Sequence, residues 1–77
     1  MQVTQHKAIE VAILLHANQE SRHRLITTIH NSFDGCESLD ANLLIHKLQI
    51  IASSGPPDFQ VDANYYGLCL RLELLMP

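Results

Sequence analysis

Charge is scarce in this chain: Asp, Glu, Lys and Arg together make up only 17% of its 77 residues. Lys7, Arg22, Arg24, Lys47 and Arg71 are its only permanent cations, and the net charge is −3 with histidines neutral. Proteins that bind nucleic acid without sequence preference do so by neutralising phosphates with a basic patch, and this composition offers none. Cysteine is nearly absent. Cys36 and Cys69 allow one bridge at most and lack CxxC spacing, so neither a disulfide framework nor a redox pair is expected. Cys69 lies on an apolar flank of a helical pattern and reads as a small hydrophobe, whereas Cys36 follows Gly35 in a loop and is oxidisable. The longest apolar run, Val11 to Leu15, is far short of the ~20 residues of a membrane span. Met1-Gln2-Val3-Thr4-Gln5 lacks the basic n-region of a signal peptide, so a cytoplasmic protein with reduced thiols is expected. There is no Gly-rich phosphate loop, nucleophile elbow or HExxH. Asp34, Glu37, Asp40 and Asp58 are accounted for by caps and loop solvation. No catalytic residue, metal or cofactor is therefore expected.

What the chain has in excess is apolar surface, 47% of its residues. A domain of this length buries only ~60% of the surface of its unfolded chain. Small domains compensate with a disulfide, a metal or a partner subunit, and the partner subunit is the one left here. A single domain over residues 1–77 is expected, all-α, a small bundle of three to four antiparallel helices completed by homodimerisation.

Thr4 is placed to cap a first helix running to about Ala17. Ala8, Ile9, Val11, Ala12, Ile13, Leu14 and Leu15 surround most of its circumference, so it must be covered on more than one side. Val11, Ile13, Leu14 and Leu15 are accordingly the expected dimer or partner face. Asn18 to Arg24 is wholly polar. It is either a loop with Ser21 capping a new helix or an exposed part of one long helix. Leu25, Ile26, Ile29 and Phe33 then form a narrow helical stripe, and Asp34-Gly35 ends it.

Asp40 and Asp62 each stand before an apolar run, behind Leu39 and Val61. Both are expected N-caps with a hydrophobic staple. The third helix is expected from about Ala41 to Ala52 on Leu43, Leu44, Leu48 and Ile51. Ser53-Ser54-Gly55-Pro56-Pro57 stops it. The last is expected from about Ala63 to Leu75, with Tyr65, Leu68, Leu72 and Leu75 as one stripe widened by Tyr66, Cys69 and Leu70, and Gly67 marking a weak turn or a close backbone contact. No segment alternates with period two, so no sheet is expected. Leu25, Ile29, Leu44, Leu48, Leu68 and Leu72 would build the core.

His16, His23 and His30 recur at a seven-residue interval. On a continuous helix they would share one face, too far apart to hold a single zinc ion. They are a row of solvated positions or a pH-responsive stripe. Arg22-His23-Arg24 ahead of Leu25-Ile26 is the one segment that could enter a DNA groove, with Arg22 and Arg24 as contacts.

Glu20 ahead of Leu25-Ile26 and Ile29, the Asp34-Gly35 turn, Leu39, Leu43-Leu44 and Lys47-Leu48, a polar linker, then Tyr65-Tyr66, Leu68 and Leu72-Glu73-Leu74-Leu75 make a recognisable order. From Glu20 to Met76 the chain resembles the small enterobacterial biofilm and acid-resistance connector proteins of the YmgB/AriR and YcgZ type. The resemblance implies an all-α homodimer, without enzymatic activity, that passes a signal into a two-component phosphorelay and so affects biofilm, acid-stress or capsule genes. The expected function is a regulatory interaction protein whose partners are a second copy and a signalling protein or transcription regulator. The alternatives are a small DNA-binding regulator and a phage- or plasmid-encoded inhibitor of a host protein.

Overall fold

The computed structural model describes residues 1–15 and 18–76. Its elements in chain order are β1 (Gln2–Thr4), α1 (Gln5–Leu15), α2 (Gln19–Phe33), β2 (Ser38–Asp40), α3 (Ala41–Ser53) and α4 (Pro57–Leu75). Contacts join α1 to α2, α2 to α3, α3 to α4 and α4 back to α1, with α2 also touching α4. The helical class is as expected; the small two-stranded sheet is not. β1 and β2 form an antiparallel ribbon in the register Gln2↔Asp40, Val3↔Leu39 and Thr4↔Ser38. Two further backbone bonds extend it, Ala41 N–H to the Met1 carbonyl at 2.7 Å and Gln5 N–H to the Glu37 carbonyl at 3.0 Å. Val3 is buried in the core and Leu39 is packed against it, so the ribbon closes one end of the bundle.

Local chemistry sets the helix ends. The Thr4 hydroxyl accepts from Lys7 N–H at 3.1 Å and opens α1. Asn18 is extended (φ −78°, ψ 118°) and its Oδ1 accepts from the N–H groups of Glu20 and Ser21. Asn18, not Ser21, is therefore the cap of α2, and its extended backbone rules out one helix continuous with α1. Asp34 (φ 50°) and Gly35 (φ 82°) both turn left-handed after Phe33, and Cys36 N–H then returns to the Phe33 carbonyl at 2.9 Å. Asp40 Oδ1 accepts from Asn42 and Leu43 N–H at 3.0 and 3.2 Å, capping α3.

The start of α4 corrects the expectation at Asp62. The helix begins at Pro57, five residues before it, with Pro56 as its extended cap residue. Proline lacks the N–H that a first turn leaves unpaired and holds a helical φ, so here it starts a helix as well as ending one. Asp62 and Val61 lie inside α4 and serve neither as cap nor as staple.

The earlier start also changes the buried side. Phe59, Ala63, Tyr66, Gly67 and Leu70 are buried, whereas Tyr65, Leu68, Leu72 and Leu75 are exposed. Leu68 and Leu72 are thus not core residues. Leu25, Ile29, Leu44 and Leu48 are. In α3 the buried stripe is Ala41, Leu44, Ile45, Leu48 and Ala52, with Leu43 and Ile51 outside it. Two observations explain the choice in α4. A Cβ on Gly67 would lie 3.1 Å from Ile45 Cγ2, so the missing side chain lets α3 and α4 approach. The fully buried Tyr66 donates its hydroxyl to the Ala8 carbonyl at 2.7 Å, which satisfies its one polar atom inside the core. Burial raises the pKa of that phenol, so it stays protonated.

Candidate interaction surface

Helix α1 divides more sharply than its composition suggests. Ala8, Val11 and Ala12 are buried; Ile9 and Leu15 are half-buried against the core. Ile13 is 49% exposed and Leu14 75%. Of the four residues expected to form the interface, Val11 therefore belongs to the core of the protomer and Leu15 packs partly against it. The helix can be apolar on most sides because α2 and α4 both pack on it.

Ile13 and Leu14 remain outward. With His6, Ile9 and Glu10 they line a shallow cavity of about 270 Å³. Its rim is charged. His6 Nε2 lies 3.8 Å from Glu10 Oε2, and Lys7 Nζ lies 3.3 Å from Glu10 and 3.0 Å from Glu73 of α4. Lys7 is held above its ordinary pKa by its hydrogen bond to Glu73 first and to Glu10 second. These are exposed pairs, and they position the rim more than they stabilise the fold.

A second apolar surface runs along α4, where Val61, Tyr65, Leu68, Leu72 and Leu75 are 53 to 72% exposed. Helical spacing alone puts Tyr65, Leu68, Leu72 and Leu75 on one inward stripe, and the fold turns that stripe outward. The signal that they form a second stripe was the presence of two apolar sets in one helix, Phe59-Ala63-Tyr66-Leu70 and Val61-Tyr65-Leu68-Leu72-Leu75, offset by about half a turn. Two further cavities lie elsewhere on the surface. One, of about 350 Å³, is lined by Asn31, Ser32, Asp34, Lys47, Ile50 and Ile51. The other, of about 230 Å³, lies where Met1, Ala41 and Asn42 meet Arg71, Leu74 and Leu75. In the first, Lys47 Nζ donates to the Ser32 carbonyl at 3.0 Å, which ties its charge to the end of α2.

The remaining candidates stand apart from these surfaces. His16 lies outside the described residues. His23 and His30 are both exposed on α2, and the Gln5 side-chain amide is hydrogen-bonded to His30 Nδ1 across the α1–α2 contact. Arg24 places its guanidinium 5.6 Å from the centre of the Phe59 ring, so its charge is directed at the fold. Arg22 is half-buried beside it in sequence. Cys36 is exposed and Cys69 half-buried, both as free thiols. Among the described residues no group of three or more His, Cys, Asp or Glu is arranged to hold a metal ion, and no helix is long and apolar enough to cross a membrane. No family model, no curated protein and no solved structure matches the chain.

Proposed function

We propose that this chain is a non-enzymatic interaction protein that binds a signalling protein or transcription regulator through the outward face of α1. The observation that carries the proposal is the placement of Ile13 and Leu14. Both point away from a core already sealed by Ala8, Val11 and Ala12, so folding alone gives them no reason to be large and apolar. A leucine left in water forfeits about 1.5–3 kcal/mol relative to burial. A docked partner recovers that energy, and the His6–Glu10–Lys7 rim gives it polar groups to align with. The resemblance to connector proteins of biofilm and acid-stress control extends the proposal to a partner in a two-component phosphorelay.

The test is affinity capture from the cells of origin with the wild type and with Leu14→Glu side by side. The expected result is a specific partner, held by the wild type and released by the variant, whose activity changes when the chain is added. Partners captured equally by both proteins would overturn the assignment to α1. A partner that is DNA, lost steeply with added salt, would replace it with the DNA-binding alternative.

A further inference from the structure

Helix α4 is apolar on two opposite sides, and only one is used within the protomer. Phe59, Ala63, Tyr66 and Leu70 are buried. Val61, Tyr65, Leu68, Leu72 and Leu75 face away from the core. Their intervals are four, three, four and three residues, the alternation of a and d positions in a coiled coil. A stripe kept to this seven-residue repeat turns slowly around a straight helix and stays in register with another helix that supercoils with it. At 1.5 Å per residue the set spans about 21 Å, most of the length of α4. An extended peptide or a flat ligand would have no use for that spacing.

We propose that this stripe is the seam between two copies of the chain, α4 packed on α4. The proposal rests on the reading that the chain works by association, but on a different surface from the one assigned to the target. The area is appropriate. Five side chains of this size form a patch of roughly 500 Å², near the top of what monomers leave in water. With the neighbouring Asn64, Cys69, Arg71 and Met76 it approaches the ~800 Å² per partner of a standard interface. The charges also fit a second copy better than a lipid surface. Asp58, Asp62 and Glu73 oppose the single cation Arg71 on this helix, the reverse of the cationic polar face that anionic membranes attract. The edges of the seam carry one charge each, Asp62 beside Val61 and Arg71 beside Leu72. In a parallel pair the edge holding Asp62 faces the partner edge that holds Arg71, and Asp58, one seam position before Val61, sets the end at which the apolar contact stops.

The experiment is sedimentation equilibrium at micromolar concentration on the wild type, Leu68→Glu and Leu14→Glu, with circular dichroism to confirm that each is folded. The wild type is expected at twice 8.7 kDa. Leu68 is exposed in the protomer, so Leu68→Glu should keep its helical spectrum while its dissociation constant rises on the order of 30-fold or more, the loss typical of a central interface residue. Leu14→Glu should remain a dimer. Should Leu68→Glu unfold, the milder pair Leu68→Ser and Leu72→Ser, each made singly, is expected to weaken the dimer in its place. A monomeric wild type, or a dimer that Leu14→Glu breaks and the α4 variants do not, would overturn the seam. Target capture lost in Leu14→Glu would still support the α1 surface in either case, so the two proposals fail separately.

Discussion

The hydroxyl of the fully buried Tyr66 reaches from α4 to the Ala8 carbonyl of α1 at 2.7 Å. Tyr66→Phe removes the donor and leaves that carbonyl its own helix, so a loss of about 0.5–1.5 kcal/mol is expected in urea denaturation. Gly67 is more demanding. Alanine there would gain up to ~1 kcal/mol of helix propensity. Its Cβ, however, would meet the buried Ile45 at 3.1 Å, and overpacking typically costs about 1–3 kcal/mol. Ile45 lies within the core with no solvent side to retreat to, so Gly67→Ala should be net destabilising; a raised denaturation midpoint would mean α3 and α4 can separate freely. Asp40 and Asp62 stand in similar sequence contexts and should behave differently. Asp40→Ala should cost about 0.5–2 kcal/mol through the lost cap, and Asp62→Ala, inside α4, less than about 0.5 kcal/mol.

The ribbon and α3 share one residue. Asp40 ends β2, caps α3 and lies 3.1 Å from the Met1 amino group. That amino group first, and the Leu43 N–H second, hold its carboxyl below its ordinary pKa. Its folded pKa is depressed, so its contribution to stability is present above the unfolded carboxylate value and is lost as pH falls through the lower folded value. The opposite case is Lys7, whose folded pKa is raised. Its contribution is present below the unfolded value and lost as pH rises through the higher folded one. Thermal denaturation across pH should therefore weaken at both extremes, below about 3.8 and above about 10.5. Amide exchange should localise the acid loss to β1, β2 and the first turn of α3. Asp40→Asn should remove the acid limb and leave the alkaline one.

For the molecule as a whole, the balance of charge and apolar surface governs behaviour in solution. Protonation of all five histidines takes the net charge from −3 to +2, through a calculated isoelectric point near 5.9. Close to that pH little net charge keeps copies apart, while Ile13 and Leu14, outside the proposed seam, remain exposed. Light scattering on a pH series should show maximal association beyond the dimer near pH 5.9 and recovery on either side. Leu14→Glu should reduce that maximum. Equal scattering at every pH would mean that the outward apolar side chains are covered by something other than further copies.

The chain carried some of its helix ends openly, but not the starts of α2 and α4. Thr4, Asp40 and Gly35 act within one turn of themselves, so their roles depend on little beyond neighbouring residues, and the inward stripe of α2 follows from Leu25, Ile29 and Phe33 being its main apolar set. Tertiary structure decided the rest. β1 and β2 are three residues each and pair across the whole length of α1 and α2; neither is long enough to show a period of two. Helix α4 offered two apolar stripes of similar hydrophobicity, between which burial of area alone does not choose. Shape and hydrogen bonding chose: the side bearing Ala63 and Gly67 lets Ile45 approach, and Tyr66 on that side finds the Ala8 carbonyl. The other set, four aliphatic side chains and Tyr65, was left outside.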